Sequence, residues 1–223
     1  MTHNPHTVGE VMTQTVVAVG QGAGFKEIVA IMEQWKVSAL PVLAGEGRVI
    51  GVVSEADLLP KEEFRNAVPE RVEQQRLDDL RKAGGLTAGD VMSAPALTVH
   101  AGDTLAQAAR TMVRKSVKRL PVVDSRGMLE GIVSRADLLK VFLRSDEELA
   151  AEVRTEIVDR LFTGTPGTVE VRVVDGVVTL HGPIRASALL PVAARLVRAV
   201  EGVVDVTFDV HIVPAGERRT VAG

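Results

Sequence analysis

Two serines each stand three residues ahead of an aspartate at the head of a predicted helix: Ser54 and Asp57 in GVVSEADLL, Ser134 and Asp137 in GIVSRADLL. The structural use of this spacing is a capping box, in which hydroxyl and carboxylate satisfy backbone N–H groups at the helix start. The same spacing suits ligand chemistry. A helix start presents unpaired N–H groups and the positive end of its dipole, which favour a phosphate, and a hydroxyl there adds a donor. An aspartate one turn in only accepts hydrogen bonds and can take both hydroxyls of a ribose. The two uses are compatible at one helix end.

The motifs close a longer duplication. Residues 7–59 laid over 87–139 at a constant offset of eighty match at 19 of 53 positions without a gap, which marks an internal repeat. In the first copy, residues 15–19 (TVVAV) are β-branched and apolar and predict a strand, and Phe25, Ile28, Val29, Ile31 and Met32 follow at helical spacing. Apolar runs at 37–43 and 49–54 flank AGEG and predict a hairpin, after which Ser54 opens a helix. The second copy repeats this with a strand at 96–99, a helix over 104–115, the turn DSRG and a helix past Asp137. Each unit is β-α-β-β-α.

From about Asp146 the pattern changes. Leu149, Val153, Ile157 and Leu161 form the apolar stripe of a helix, and GTVEVRVVDGVVTLHG predicts two strands turning at Asp175 and Gly176. Residues 186–200 predict a second helix and residues 203–213 a last strand, giving α-β-β-α-β. Pro191 sets the second helix to begin near Leu190.

The repeated unit resembles the CBS domain family, nucleotide-sensing modules that occur as tandem pairs. The matching residues are Val11-Met12 and Val91-Met92, Leu40-Pro41-Val42 and Leu120-Pro121-Val122, the turn glycines Gly47 and Gly127, and the closing Gly-x-x-Ser-x-x-Asp-Leu. The later part, with VTLHG and VEGVVDV, resembles the BON domain family, suspected of binding phospholipid or other surfaces. The expected fold class is therefore α/β (α+β): two CBS-like repeats forming one pseudo-symmetric module, at residues 1–59 and 86–145, and a small BON-like domain at 146–214. A charged linker at 60–85 joins the repeats and a flexible tail occupies 215–223. The linker, with six basic and six acidic side chains, is read either as a charged helix over 70–82 or as solvated chain, and no functional role is assigned to it.

The CBS resemblance implies ribose contacts for Asp57 and Asp137, ribose or phosphate contacts for Ser54 and Ser134, and an adenine pocket from Val37, Ser38, Ala39, Leu40 and Pro41. In the second copy it implies the same for Val117, Lys118, Arg119, Leu120 and Pro121. Thr15 and Pro95 enter the two first strands, and Thr15 is counted with the ligand-binding residues. Because Lys118 and Arg119 replace Ser38 and Ala39, the second site is expected to be the better equipped for a phosphate chain. The implied ligand is an adenosyl nucleotide, with AMP, ADP or ATP ahead of S-adenosylmethionine or NAD, and the implied assembly is a homodimer. Trp35, the single tryptophan, either lines a pocket or packs in a core or dimer interface.

Composition narrows the alternatives. Absence of cysteine excludes disulfides, thiolate nucleophiles and cysteine-bound zinc. A net charge of -3 and 3% aromatics argue against nucleic-acid binding. The start lacks a signal-peptide pattern and no apolar run approaches the ~18 residues of a membrane span, so the expected location is cytoplasmic. Six basic and eleven acidic side chains between Asp146 and Pro214 oppose binding to anionic phospholipid, and a protein target fits that domain better. No nucleophile elbow or P-loop is present. The histidines His3, His6, His100, His181 and His211 lack metal-ligand spacing. Gly20, Gly22 and Gly24 read as a loop, because the third glycine of a dinucleotide-binding turn would fall at Phe25. The expectation is a non-enzymatic nucleotide-binding regulator without a catalytic cofactor, relaying occupancy through its BON-like domain. The alternative is a ligand-free dimerisation scaffold whose BON-like domain docks on a protein or membrane surface.

Overall fold

The opening segment of each repeat folds onto the other repeat. Val8 N donates to Asp103 O and Ala88 N to Ala23 O, both at 2.8 Å, and these pairs are equivalent under the offset of eighty. Thr13 and Ile132 exchange both backbone hydrogen bonds at 2.9 Å, and Ser93 and Val52 do the same at 2.9 and 3.1 Å. The computed structural model describes residues 6–64, 81–162 and 169–213. It divides into a unit ending at Leu138 and a second beginning at Leu139.

The first unit runs α1 Val8–Val11, β1 Val19–Gly20, α2 Phe25–Trp35, β2 Ala39–Ala44, β3 Arg48–Ser54, α3 Glu55–Leu58 and α4 Pro60–Glu63. Its second repeat runs α5 Ala88–Val91, α6 Leu105–Arg114, β4 Arg119–Val123, β5 Leu129–Ser134 and α7 Arg135–Leu138. β2 and β3 form the expected hairpin, as do β4 and β5, with Gly47 and Gly127 at positive φ in the two turns. The predicted first strands are shorter than expected. β1 is two residues long, and its counterpart is reduced to the single bridge between Val99 and Val122. The reason is the exchange: Thr13 and Ser93 are tied to the opposite repeat, so the chain after each must cross between sheets before it can pair with its own.

Packing follows the same crossing. Val19, Ile28, Met32, Leu40, Val42 and Val53 of the first repeat bury against Ala88 and Val91 of the second. Met12 and Met92 fix the register of the two halves. A Cβ at Gly131 would stand 2.6 Å from Met12 Sδ, and one at Gly51 would overlap Met92 in the same way. A side chain at either of these two equivalent places would force the methionine to shift. α6 begins as the sequence predicts, with Thr104 Oγ1 accepting from Gln107 N at 3.2 Å and Gln107 Oε1 accepting from Thr104 N at 2.8 Å. The glycines at 20–24 form no dinucleotide turn: Gly24 precedes α2 and donates its N–H to Glu27 Oε2 at 3.2 Å.

The second unit has the expected α-β-β-α-β order. A helical stretch starts as α8 Asp146–Glu152, passes through a wider π turn at Val153–Val158 and ends as α9 Asp159–Leu161. It buries Leu149, Val153 and Ile157, while Leu161 is half-buried. β6 Glu170–Val174 and β7 Val177–Ile184 turn at Asp175 and Gly176, both at positive φ as a tight hairpin requires. Asp146 anchors that turn by accepting from both turn N–H groups at 2.9 Å. α10 Leu190–Arg198 starts where Pro191 allows, since proline's missing N–H is harmless in a first turn. It crosses over to β8 Asp205–Ile212, which lies parallel to β7. Among the described residues no helix is long and apolar enough to cross a membrane. The expected tail at 215–223 and most of the expected linker helix lie outside the described residues.

Candidate functional site

Ser54 ends β3 in extended conformation and caps α3, which places Asp57 beneath the strand end. Ser54 N and Ser54 Oγ donate to Asp57 Oδ2 at 2.8 and 2.6 Å. The second repeat builds the same corner, with Ser134 N and Oγ donating to Asp137 Oδ2 at 2.9 and 2.6 Å. Capping is thus realised in both copies.

The copies differ in burial, Asp57 being buried and Asp137 half-buried. Asp57 is 8% exposed, the one buried charged side chain among the described residues. Its Oδ1 accepts from Ser93 Oγ at 2.9 Å and from the Lys82 ammonium, which also donates to Ser93 Oγ at 3.2 Å. Burial is the largest influence on this carboxyl and pushes its pKa up. The hydrogen bonds from Lys82 and Ser54, with the Lys82 charge, together outweigh burial and hold it below the ordinary value of 3.8. Asp57 is therefore ionised at neutral pH.

Beside it lies a cavity of about 330 Å³, within the range of roughly 300–1,000 Å³ typical of small-molecule sites. Its walls come from both repeats. The first supplies Ser38, Ala39, Val52, Ser54, Glu55, Ala56 and Asp57. The second supplies the crossing segment Ser93, Ala94, Pro95, Ala96 and Leu97 and the strand entry Ser116, Val117, Lys118 and Arg119. The Ala94–Pro95 peptide bond is cis.

Of the residues expected from sequence, the structure brings Ser38, Ala39, Ser54, Asp57, Val117, Lys118 and Arg119 to one cavity. Lys118 and Arg119, expected to equip the Asp137 side, line the space that holds Asp57. Val37, Leu40, Pro41, Leu120 and Pro121 do not line it, and Leu40 and Leu120 are fully buried in the core, because inward and outward side chains alternate along a strand. Thr15, Ser134 and Asp137 lie outside this cavity. Thr15 lies two residues after Thr13, which pairs with Ile132 of β5. Trp35 is 55% exposed and does not line the cavity. The segment expected to have no role supplies Lys82, and the second repeat supplies Ser93. No sequence signal marks either: they meet Asp57 from 25 and 36 residues away. Among the described residues no group of three or more metal-ligating side chains is placed to hold an ion.

The fold and this two-repeat cleft define a tandem CBS module. The CBS domain family matches residues 8–61 and 88–144, and the BON domain family matches residues 145–214. The chain belongs to the CBS domain family, as a tandem CBS pair followed by a BON domain. It is similar to the chloroplastic CBS domain-containing protein CBSX2 of Arabidopsis thaliana, 30% identical over 64% of this chain and 66% of that protein. It is also similar to MJ1426 of Methanocaldococcus jannaschii, 28% identical over 52% of this chain and 80% of that protein. The match spans just under two thirds of the length of CBSX2. The crystal structure of CBSX2 in complex with AMP is similar with a TM-score of 0.55 and 29% identity, covering 62% of this chain and 97% of that one.

Proposed function

We propose that residues 6–138 bind an adenosine nucleotide of the AMP, ADP or ATP class, and that the protein is a non-enzymatic regulator whose C-terminal unit passes occupancy to a protein target. The observation that carries the reading is Asp57, a buried and ionised carboxylate on the wall of a cavity assembled from both repeats. A carboxylate accepts both hydroxyls of a ribose. The apolar wall of Ala39, Val52, Ala96, Leu97 and Val117 suits an adenine ring, and Lys118 and Arg119 offer cationic donors to a phosphate. The AMP complex of CBSX2 supports the ligand class. A ligand shifts such a module only by its differential affinity for two states, so signalling requires a geometry that changes on binding. Exposed Val29, Trp35 and Leu59 support pairing of two copies.

One observation favours a second reading, an empty dimerisation scaffold: the acceptor positions of Asp57 are already filled by the chain's own donors. A thermal-shift screen against AMP, ADP, ATP, S-adenosylmethionine and NAD, with Asp57→Ala and Asp137→Ala alongside, separates the two. The regulator gives a rise in melting temperature that Asp57→Ala removes, since binding to the native state alone stabilises it by mass action. The scaffold gives no rise with any of the five.

A further inference from the structure

An ionised carboxylate has about four acceptor positions, and Asp57 uses them all. Oδ2 takes Ser54 N and Ser54 Oγ, and Oδ1 takes Ser93 Oγ and the Lys82 ammonium. A ribose diol brings two further O–H donors, so two of the present donors must leave. Ser54 N is fixed by the backbone at the head of α3. Those free to move are the Ser54 and Ser93 hydroxyls, which can rotate, and Lys82, which can swing on its long side chain. Releasing Lys82 breaks an ion pair whose side chains are 20% and 9% exposed. A broken pair in that environment is unfavourable unless the ammonium finds another anion.

We infer that Lys82 is an internal competitor for the ribose-binding carboxylate, and that it makes this site selective for adenosine compounds that carry a phosphate over neutral or cationic ones. The inference rests on the nucleotide reading given above. A phosphate supplies the exchanged partner: the ribose takes Asp57 while the ammonium passes from carboxylate to phosphate. Adenosine offers no such partner, and a sulfonium compound brings a cation where the displaced ammonium needs an anion. The competitor is held at its post. Lys61 Nζ donates to Ala83 O at 3.1 Å and to Gly85 O at 2.7 Å, clamping the backbone next to Lys82, and itself sits 4.9 Å from the centre of the Phe25 ring. Nothing in the repeat pattern predicts this residue, because it lies in the insert between the copies.

The test measures dissociation constants of AMP and adenosine for the full-length wild type, Lys82→Met, and Lys82→Gln, which keeps a neutral donor. Circular dichroism melts confirm that each variant is folded. Lys82→Met is expected to tighten adenosine binding about tenfold and to lower the preference for AMP over adenosine by at least about tenfold, with Lys82→Gln between. Wild-type binding of AMP with a preference unchanged in both variants overturns the role of Lys82 and leaves the nucleotide site standing. If neither compound binds the wild type, the nucleotide reading falls and this inference with it.

Discussion

Ser93 donates its hydroxyl proton to Asp57 Oδ1 at 2.9 Å, from the crossing segment of the second repeat into the capped corner of the first. The bond ties the site to the exchange of segments between repeats. Ser93→Ala is expected to lower stability by about 1 kcal/mol, and a double-mutant cycle with Asp57→Asn to give a coupling of similar size. Chemical unfolding of the four proteins measures it, and strict additivity would contradict the contact.

Acid sensitivity follows from the same carboxylate. The folded-state pKa of Asp57 is depressed below 3.8. A depressed carboxylate contributes stability that is fully present above its unfolded value and lost as pH falls through the folded value. Lys82→Met removes the strongest opposing partner and leaves burial in place, so the Asp57 pKa rises from its wild-type position. The stability difference between wild type and variant should shrink as pH falls below 3.8 and grow toward neutrality. Urea unfolding across that range, with carbon-detected titration of Asp57, checks the sign; a difference independent of pH would refute it.

The two methionine–glycine contacts predict a rescue. Gly131→Ala forces a Cβ into Met12 and should cost about 1–3 kcal/mol, as overpacking does. Adding Met12→Ala removes the side-chain part of the collision and leaves the Thr13 carbonyl oxygen 3.0 Å from the new Cβ, so the double variant should lose less than the two single losses combined. Unfolding midpoints decide this, and simple addition of the losses would mean the collision is relieved elsewhere.

In the second unit, Arg144 donates to Glu152 Oε2 at 2.6 Å and to Glu201 O at 2.8 Å, with the ion pair 19% and 12% exposed. Arg144→Met removes a largely buried ion pair together with the hydrogen bond to Glu201 O and should destabilise this unit by about 3 kcal/mol. Amide exchange should quicken along β7 and stay unchanged along β3. Equal protection in both proteins would show the pair contributes little.

The sequence shows the repeat, the hairpins and the capped helices because each rests on local pattern: period, turn glycines and Ser-x-x-Asp spacing. The start of α10 at Leu190, set by Pro191, and the turn at Asp175 and Gly176 are legible for the same reason. What is not legible is which copy each opening segment joins. Val11-Met12 and Val91-Met92 read alike whether they pack at home or across, and only tertiary packing decides. That choice moved Ser93 and Pro95 to the Asp57 cavity and shortened the predicted first strands. Lys82 was hidden more deeply, since it belongs to no repeat and its neighbours read as polar insert.

The most direct test of the nucleotide site is equilibrium dialysis of labelled AMP against the full-length protein and against Asp57→Ala. Saturable binding by the wild type, weakened about a hundredfold by Asp57→Ala, is the expected result, since two charge-assisted hydrogen bonds are lost. Equal retention of AMP by both proteins, or by neither at millimolar ligand, would contradict a nucleotide site at Asp57.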